Sequence, residues 1–149
     1  MERTLILVKP DGIQRGLAFD VLARLERRGL KIVGLKLMQV PVALAERHYA
    51  EHLGKPFYPG LIDYITSSPI IAAVFEGPHA IVAARATLGK TSPAAAEAGT
   101  IRGDLGLETG RNLVHGSDGP ESALREVALF FAPDELREYE RAIDAWVRE

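Results

Sequence analysis

Residues 69–75, PIIAAVF, constrain the fold more than any other stretch of this chain. The run is apolar, rich in β-branched residues, and bounded by Pro69 and Gly77. Such a run reads as a central strand. Arg3–Lys9, RTLILVK, is a second, nearly continuous apolar run. It reads as a buried strand, stopped by the turn signal Pro10-Asp11-Gly12. Lys31–Val40 is a third strand. Its Ile32, Leu35, Leu37 and Val40 do not share one face, so both faces are expected to be partly covered.

Helical spacing appears between these strands. Leu17, Val21, Leu22 and Leu25 predict an amphipathic helix over 17–30, with Gly29 as its stop. Further helices are expected over 42–53, 61–67 and 80–88. Another starts at Asp118-Gly119-Pro120-Glu121, with Asp118 as the cap and Pro120 in the first turn. The run Ala128-Leu129-Phe130-Phe131 either ends that helix or forms a fourth strand. Ala132–Glu135 opens a last polar helix. The order is βαββαβ with extra helices. It predicts an α+β, ferredoxin-like sandwich: an antiparallel four-stranded sheet with helices on one face. A length of 149 residues suits one domain, 1–149.

Composition excludes several functions. The net charge of −2 provides no field to recruit nucleic acid, and Asp20 and Glu26 dilute Arg24, Arg27 and Arg28. Without cysteine there is no disulfide, thiolate metal site or cysteine nucleophile. The N-terminal apolar run is broken by Lys9 and Pro10, so neither a signal peptide nor a membrane span is expected. A cytoplasmic protein without membrane partners fits these observations.

Gly99–Asp118, GTIRGDLGLETGRNLVHGSD, is the stretch that carries chemistry. Gly99, Gly103, Gly106 and Gly110 interrupt it, yet Ile101, Leu105, Leu107, Leu113 and Val114 need burial. An ordered loop of this length is uncommon and usually functional. It would deliver His115 with Arg102, Arg111 and Asn112 to a pocket. A neutral imidazole can attack phosphorus and leave again near neutral pH. A buried, hydrogen-bonded structural histidine is the alternative, and the attacking ring nitrogen is not readable. Gly116 allows a close ligand approach, and Ser117 can donate to a phosphate or leaving oxygen. Glu126 can select the tautomer and stabilise the imidazolium, braced by Ser122. Lys9, Arg85, Thr91 and Arg102 are the candidate donors for phosphoryl oxygens. Arg102→Ala is expected to slow transfer without unfolding the protein. Phe57, in the rigid turn GKPFYPG, stacks on a base or plugs the core. Gly89-Lys90-Thr91 is not a phosphate-binding loop, because it follows a helix and lacks the upstream glycine. His48 and His52 stand four apart but lack a third ligand, so they read as surface residues.

The chain resembles nucleoside diphosphate kinases. The resemblance rests on ERTLILVKPDGIQRGL (2–17), HYAEH (48–52), KPFYPGL (55–61), GTIRGD (99–104), GRNLVHGSD (110–118) and AWVRE (145–149). The Asn112–Asp118 motif is the most specific of these. The resemblance implies transfer of the terminal phosphoryl group from a nucleoside triphosphate such as ATP to a diphosphate such as GDP. The route would be ping-pong through phospho-His115, served by Glu126 and Ser117, with broad base acceptance. It implies that Lys9, Tyr49, Arg85, Thr91 and Arg102 handle phosphates and that Asn112, with Lys9, reads the ribose. Phe57 would stack on the base beside Leu61 and Thr109. Mg2+ would arrive on the nucleotide phosphates, with no metal held by protein ligands. A homohexamer is implied, with a tetramer as the alternative. The departures are Ala18-Phe19-Asp20, Ala98, Thr109 and Gly119, and none removes a phosphate ligand.

Overall fold

The computed structural model describes residues 1–149. Four strands form one antiparallel sheet: β1 (Glu2–Val8), β2 (Lys31–Met38), β3 (Ile70–Gly77) and β4 (Val114–Gly116). Their spatial order is β2-β3-β1-β4. The two apolar runs therefore lie side by side at the centre, in register from Glu2 opposite Gly77 to Val8 opposite Ile71.

Helices cover both faces of this sheet, not one. Ile6, Val8, Ala73 and Phe75 pack beneath α2 (Ala18–Arg27) and α5 (Ala80–Leu88). On the other face Leu5, Leu7, Ala72 and Val74 meet α3 (Val42–His48), α4 (Tyr58–Ile65) and α7 (Pro120–Phe130). The cause is visible in the strands. β1 and β3 are apolar without alternation, so either face left in water would expose a row of aliphatic side chains. Two short helices, α1 (Pro10–Gln14) and α6 (Ile101–Leu105), turn the chain near the sheet's end.

The fourth strand is not where the apolar pattern suggested. Ala128–Phe130 close α7, whose buried stripe is Ala123, Glu126 and Phe130. A short apolar run does not by itself separate strand from helix. The strand is instead the three residues around His115, paired with Ile6–Val8 of β1. The expected last helix also differs. Pro133–Glu135 is a single 3-10 turn, and only Asp144–Val147 (α8) is α-helical in the tail. The tail is held by polar contacts to β2 and the end of α2. Arg137 N–H donates to Val33 O at 2.8 Å, and Tyr139 Oη donates to Ile32 O at 2.6 Å. Arg141 donates to the carbonyls of Gly29 at 2.9 Å and Leu30 at 3.1 Å, just beyond the end of α2.

Candidate functional site

Strand alternation aims His115. Val114 faces the core under α2 and α5, so its neighbour His115 emerges toward α3 and α7. There its Nε2 meets Glu126 Oε2 in a very short contact. The Glu126 side chain is 3% exposed and that of His115 is 28% exposed. A carboxylate only accepts, so Nε2–H donates and Nδ1 is left as the free ring nitrogen.

The segment before His115 is pinned to the end of β1. Leu113 is fully buried at φ 74, a left-handed conformation that costs a non-glycine residue ~1–2 kcal/mol. Two bonds hold it there. Its N–H donates to Asp11 Oδ2 at 3.0 Å, and its carbonyl accepts Lys9 N–H at 2.8 Å. Asp11 is itself fixed by the Tyr64 hydroxyl, and Arg111 lies 4.0 Å over the Tyr64 ring.

Cations and amides converge beside the histidine. Lys9 Nζ donates to Asn112 Oδ1 at 2.5 Å, and Asn112 Nδ2 donates to Thr91 O at 2.9 Å. Arg85 reaches Gly116 O at 3.4 Å. Arg102 is buried and donates to the carbonyls of Gly89 and Val114 at 2.9 and 2.6 Å, and to that of Asn112 at 3.3 Å. Burial, then the charge of Arg85, lowers its pKa to about 10, so it stays charged at neutral pH. Burial, then Glu126, pushes the Tyr49 hydroxyl up to about 12.

These groups line a cavity of about 550 Å³. Lys9, Tyr49, Phe57, Leu61, Arg85, Thr91, Arg102, Thr109, Asn112, His115 and Glu126 all contribute to its wall. Phe57 stands half-exposed at the mouth, 5.4 Å from the His52 ring. A larger groove of about 1090 Å³ runs along the outer face of α7, lined mostly by apolar side chains, and holds none of this chemistry.

Three expectations need correction. Ser117 does not line the cavity. It is fully buried, and its Oγ accepts Leu5 N–H at 3.1 Å, so it supports the strand pairing and cannot reach a ligand phosphate. Ser122 does not brace Glu126. Its Oγ accepts Gly119 N–H at 3.0 Å and donates to Asp118 Oδ1 at 2.5 Å. The N-cap of α7 is therefore Gly119, while Ser122 holds the Asp118 carboxyl below its usual range. Finally, His48 is not on the surface. Its side chain is 3% exposed and its ring stands edge-on to His115, centroids 4.8 Å apart. Leu44, Ala45 and His48 form the buried stripe of α3, a helical spacing present in the sequence.

Lys9 gives the site a pH signature. Burial, then the positive charges of Arg102 and Arg111 against Asp11, lowers its pKa from 10.5 to about 8. A bound phosphate favours the protonated form. Affinity for a phosphate-bearing ligand in this cavity is therefore expected to fall as pH rises above about 8, by up to tenfold per unit, with proton uptake on binding. Calorimetric titration in buffers of different ionisation enthalpy measures that uptake; Lys9→Met should abolish it. In the free protein the sign is opposite. The unfolded chain holds this proton more tightly, so the contribution of Lys9 to stability rises between about pH 8 and 10.5.

Fold and site together define a ferredoxin-like domain that presents an oriented histidine to an anionic ligand. Comparison with known proteins sharpens this. The family model for nucleoside diphosphate kinase matches residues 2–136. A nucleoside diphosphate kinase of Thermomicrobium roseum is 63% identical over 99% of both chains. One of Carboxydothermus hydrogenoformans is 56% identical over the full length of both. The solved structure of a Halobacterium salinarum nucleoside diphosphate kinase in complex with CDP superposes with TM-score 0.97. It is 51% identical and covers 99% of each chain. The chain belongs to the nucleoside diphosphate kinase family.

Proposed function

We propose that the protein moves the terminal phosphoryl group of a nucleoside triphosphate to a nucleoside diphosphate in two half-reactions, with Nδ1 of His115 as the carrier. One observation carries this reading: Nε2 is engaged by a buried carboxylate while Nδ1 is free beside the cation-lined cavity. In the first half-reaction the Nδ1 lone pair attacks the terminal phosphorus. The bond to the bridging oxygen breaks, and the diphosphate leaves with that electron pair. Nε2–H remains on the ring, and Glu126 stabilises the positive charge that forms. A second nucleoside diphosphate then attacks the phosphorus and restores neutral His115.

Lys9, Arg85, Thr91 and Arg102 balance charge on the phosphoryl oxygens, with Tyr49 beside them. Asn112 and Lys9 take the ribose. Phe57 stacks on the base, flanked by Leu61 and Thr109, and stacking accepts any base. The donor set around the phosphates is cationic or neutral, which fits Mg2+ carried on the nucleotide rather than in a protein cage. Bound with the nucleotide beside Lys9, Arg85 and Arg102, that ion would supply further neutralisation of phosphate charge. Acceptance of nucleotides also agrees with the CDP complex of the Halobacterium protein.

The functional form is a homohexamer, with a tetramer as the alternative, and all 149 residues make one domain. Support for assembly comes from unpartnered apolar surface. Leu35 and Leu37 are exposed on edge strand β2, as are Phe19 on α2 and Trp146 on α8. No helix is long and apolar enough to cross a membrane. The absence of cysteine suits a cytoplasmic location.

Incubation with γ-labelled ATP and Mg2+, then removal of nucleotide, is expected to leave acid-labile, alkali-stable label on the protein. Added GDP should take up that label as GTP. Nucleotide that binds without labelling the protein would sink the carrier role and leave a binding module.

A further inference from the structure

Two buried side-chain atoms have no hydrogen-bond partner, Thr4 Oγ1 and His48 Nδ1, and only the second lies at the site. His48 Nδ1 belongs to a side chain only 3% exposed. It faces Glu126 Oε2 at 3.9 Å, the same oxygen that engages His115. Ligand atoms of His48, His115 and Glu126 all lie within 4.8 Å of one another.

We propose that His48 Nδ1, His115 Nε2 and the Glu126 carboxylate form an inhibitory site for a zinc-class divalent ion. Two imidazoles and one carboxylate, with a fourth position open to water from the cavity, suit Zn2+. Mg2+ prefers oxygen ligands and does not compete for the two imidazoles. Zinc–ligand distances of ~2.0–2.1 Å set tetrahedral donor atoms roughly 3.4 Å apart. From its 3.9 Å the His48–Glu126 separation closes slightly, the His115–Glu126 contact opens, and the two imidazole nitrogens, within 4.8 Å of each other, close by up to about 1.4 Å.

Binding here switches off the nucleophile through its tautomer. The metal takes the Nε2 lone pair, so the proton on Nε2 must leave. Nδ1 takes up a proton in its place, the ring stays neutral, and none is released overall. Nδ1–H then has no lone pair for phosphorus. This consequence rests on the phosphoryl-transfer reading; occupancy of the site does not.

The test uses nucleotide-free, full-length protein and the metal alone. With Co2+ as the probe, the intense visible bands of a four-coordinate site are expected. With Zn2+, the 15N resonance of His115 Nδ1 should move from the unprotonated to the protonated range. In equilibrium dialysis His48→Gln should weaken zinc binding beyond the ~10–100-fold that loss of an outer partner costs. His52→Ala, which removes the partly exposed imidazole beside Glu51, should not. Unchanged affinity in His48→Gln, or a static Nδ1 resonance in the saturated protein, overturns the site. If His48→Gln does not fold, the Nδ1 resonance of the unaltered protein decides alone. Labelling by ATP without zinc tests transfer separately, so either reading can fail without the other.

Discussion

Replacing His115 by alanine is expected to lower phosphoryl transfer on the order of 10⁶-fold, the scale of losing a nucleophile. Nucleotide should still bind, because Lys9, Arg85, Thr91, Arg102 and Phe57 come from other elements. The variant should also be less stable. Glu126 is 3% exposed, and its contact with His115 is its only hydrogen bond. Removing that donor leaves a buried carboxylate unsatisfied, at a cost of ~1–3 kcal/mol. Adding Glu126→Gln to the alanine variant should recover part of this stability without restoring activity. A coupled transfer assay, calorimetric nucleotide titration and urea unfolding separate the three effects. Turnover near that of the unaltered protein would remove His115 from the mechanism. Lost nucleotide binding would mean that its ring also builds the pocket.

The sequence showed most clearly what depends on local pattern. β1 and β3 were legible because each is an apolar run bounded by a breaker, and α2 because its apolar residues recur at helical spacing. β4 was not, since three residues carry no period and their pairing with β1 spans most of the chain. The second helical layer could have been read from the missing alternation in β1 and β3. His48 stands four residues from both Leu44 and His52, so spacing alone does not say whether it belongs to the buried stripe or to an exposed pair. The burial of Ser117 has no such local signal. The residue follows His115 closely in sequence, yet the backbone there returns to Leu5 and buries the hydroxyl against the sheet. Convergence of Lys9, Tyr49, Arg85, Asn112 and Glu126 has no local signal. It arises because β1 and β4 are neighbours, α3 and α7 share one face, and Arg85 reaches in from α5 on the other face to the end of β4, and only the family resemblance anticipated it.

Arg102→Ala is expected to damage both activity and fold, contrary to the sequence-based expectation of a purely catalytic loss. Its guanidinium ties the helix α6 to three carbonyls on two other segments: that of Gly89 beyond α5, and those of Asn112 and Val114 at the start of β4. It is 6% exposed, so water cannot readily replace it. Hydrogen bonds from a charged donor contribute ~1.5–3 kcal/mol each, and loss of the three together should cost about 4 kcal/mol or more. The lost positive charge should independently raise the barrier to transfer by ~2.7–4 kcal/mol, or roughly 10²–10³-fold in rate. Temperature separates the two effects. At a temperature where circular dichroism shows the variant folded, single-turnover labelling by ATP reports the barrier alone. Urea midpoints report the fold. Arg102→Lys restores charge but cannot span three acceptors with the planar fork of arginine. It should therefore recover more of the rate than of the stability. Equal recovery of both would mean that the three carbonyl contacts do not hold the loop. An alanine variant with unchanged midpoint and unchanged labelling rate would remove Arg102 from fold and site alike.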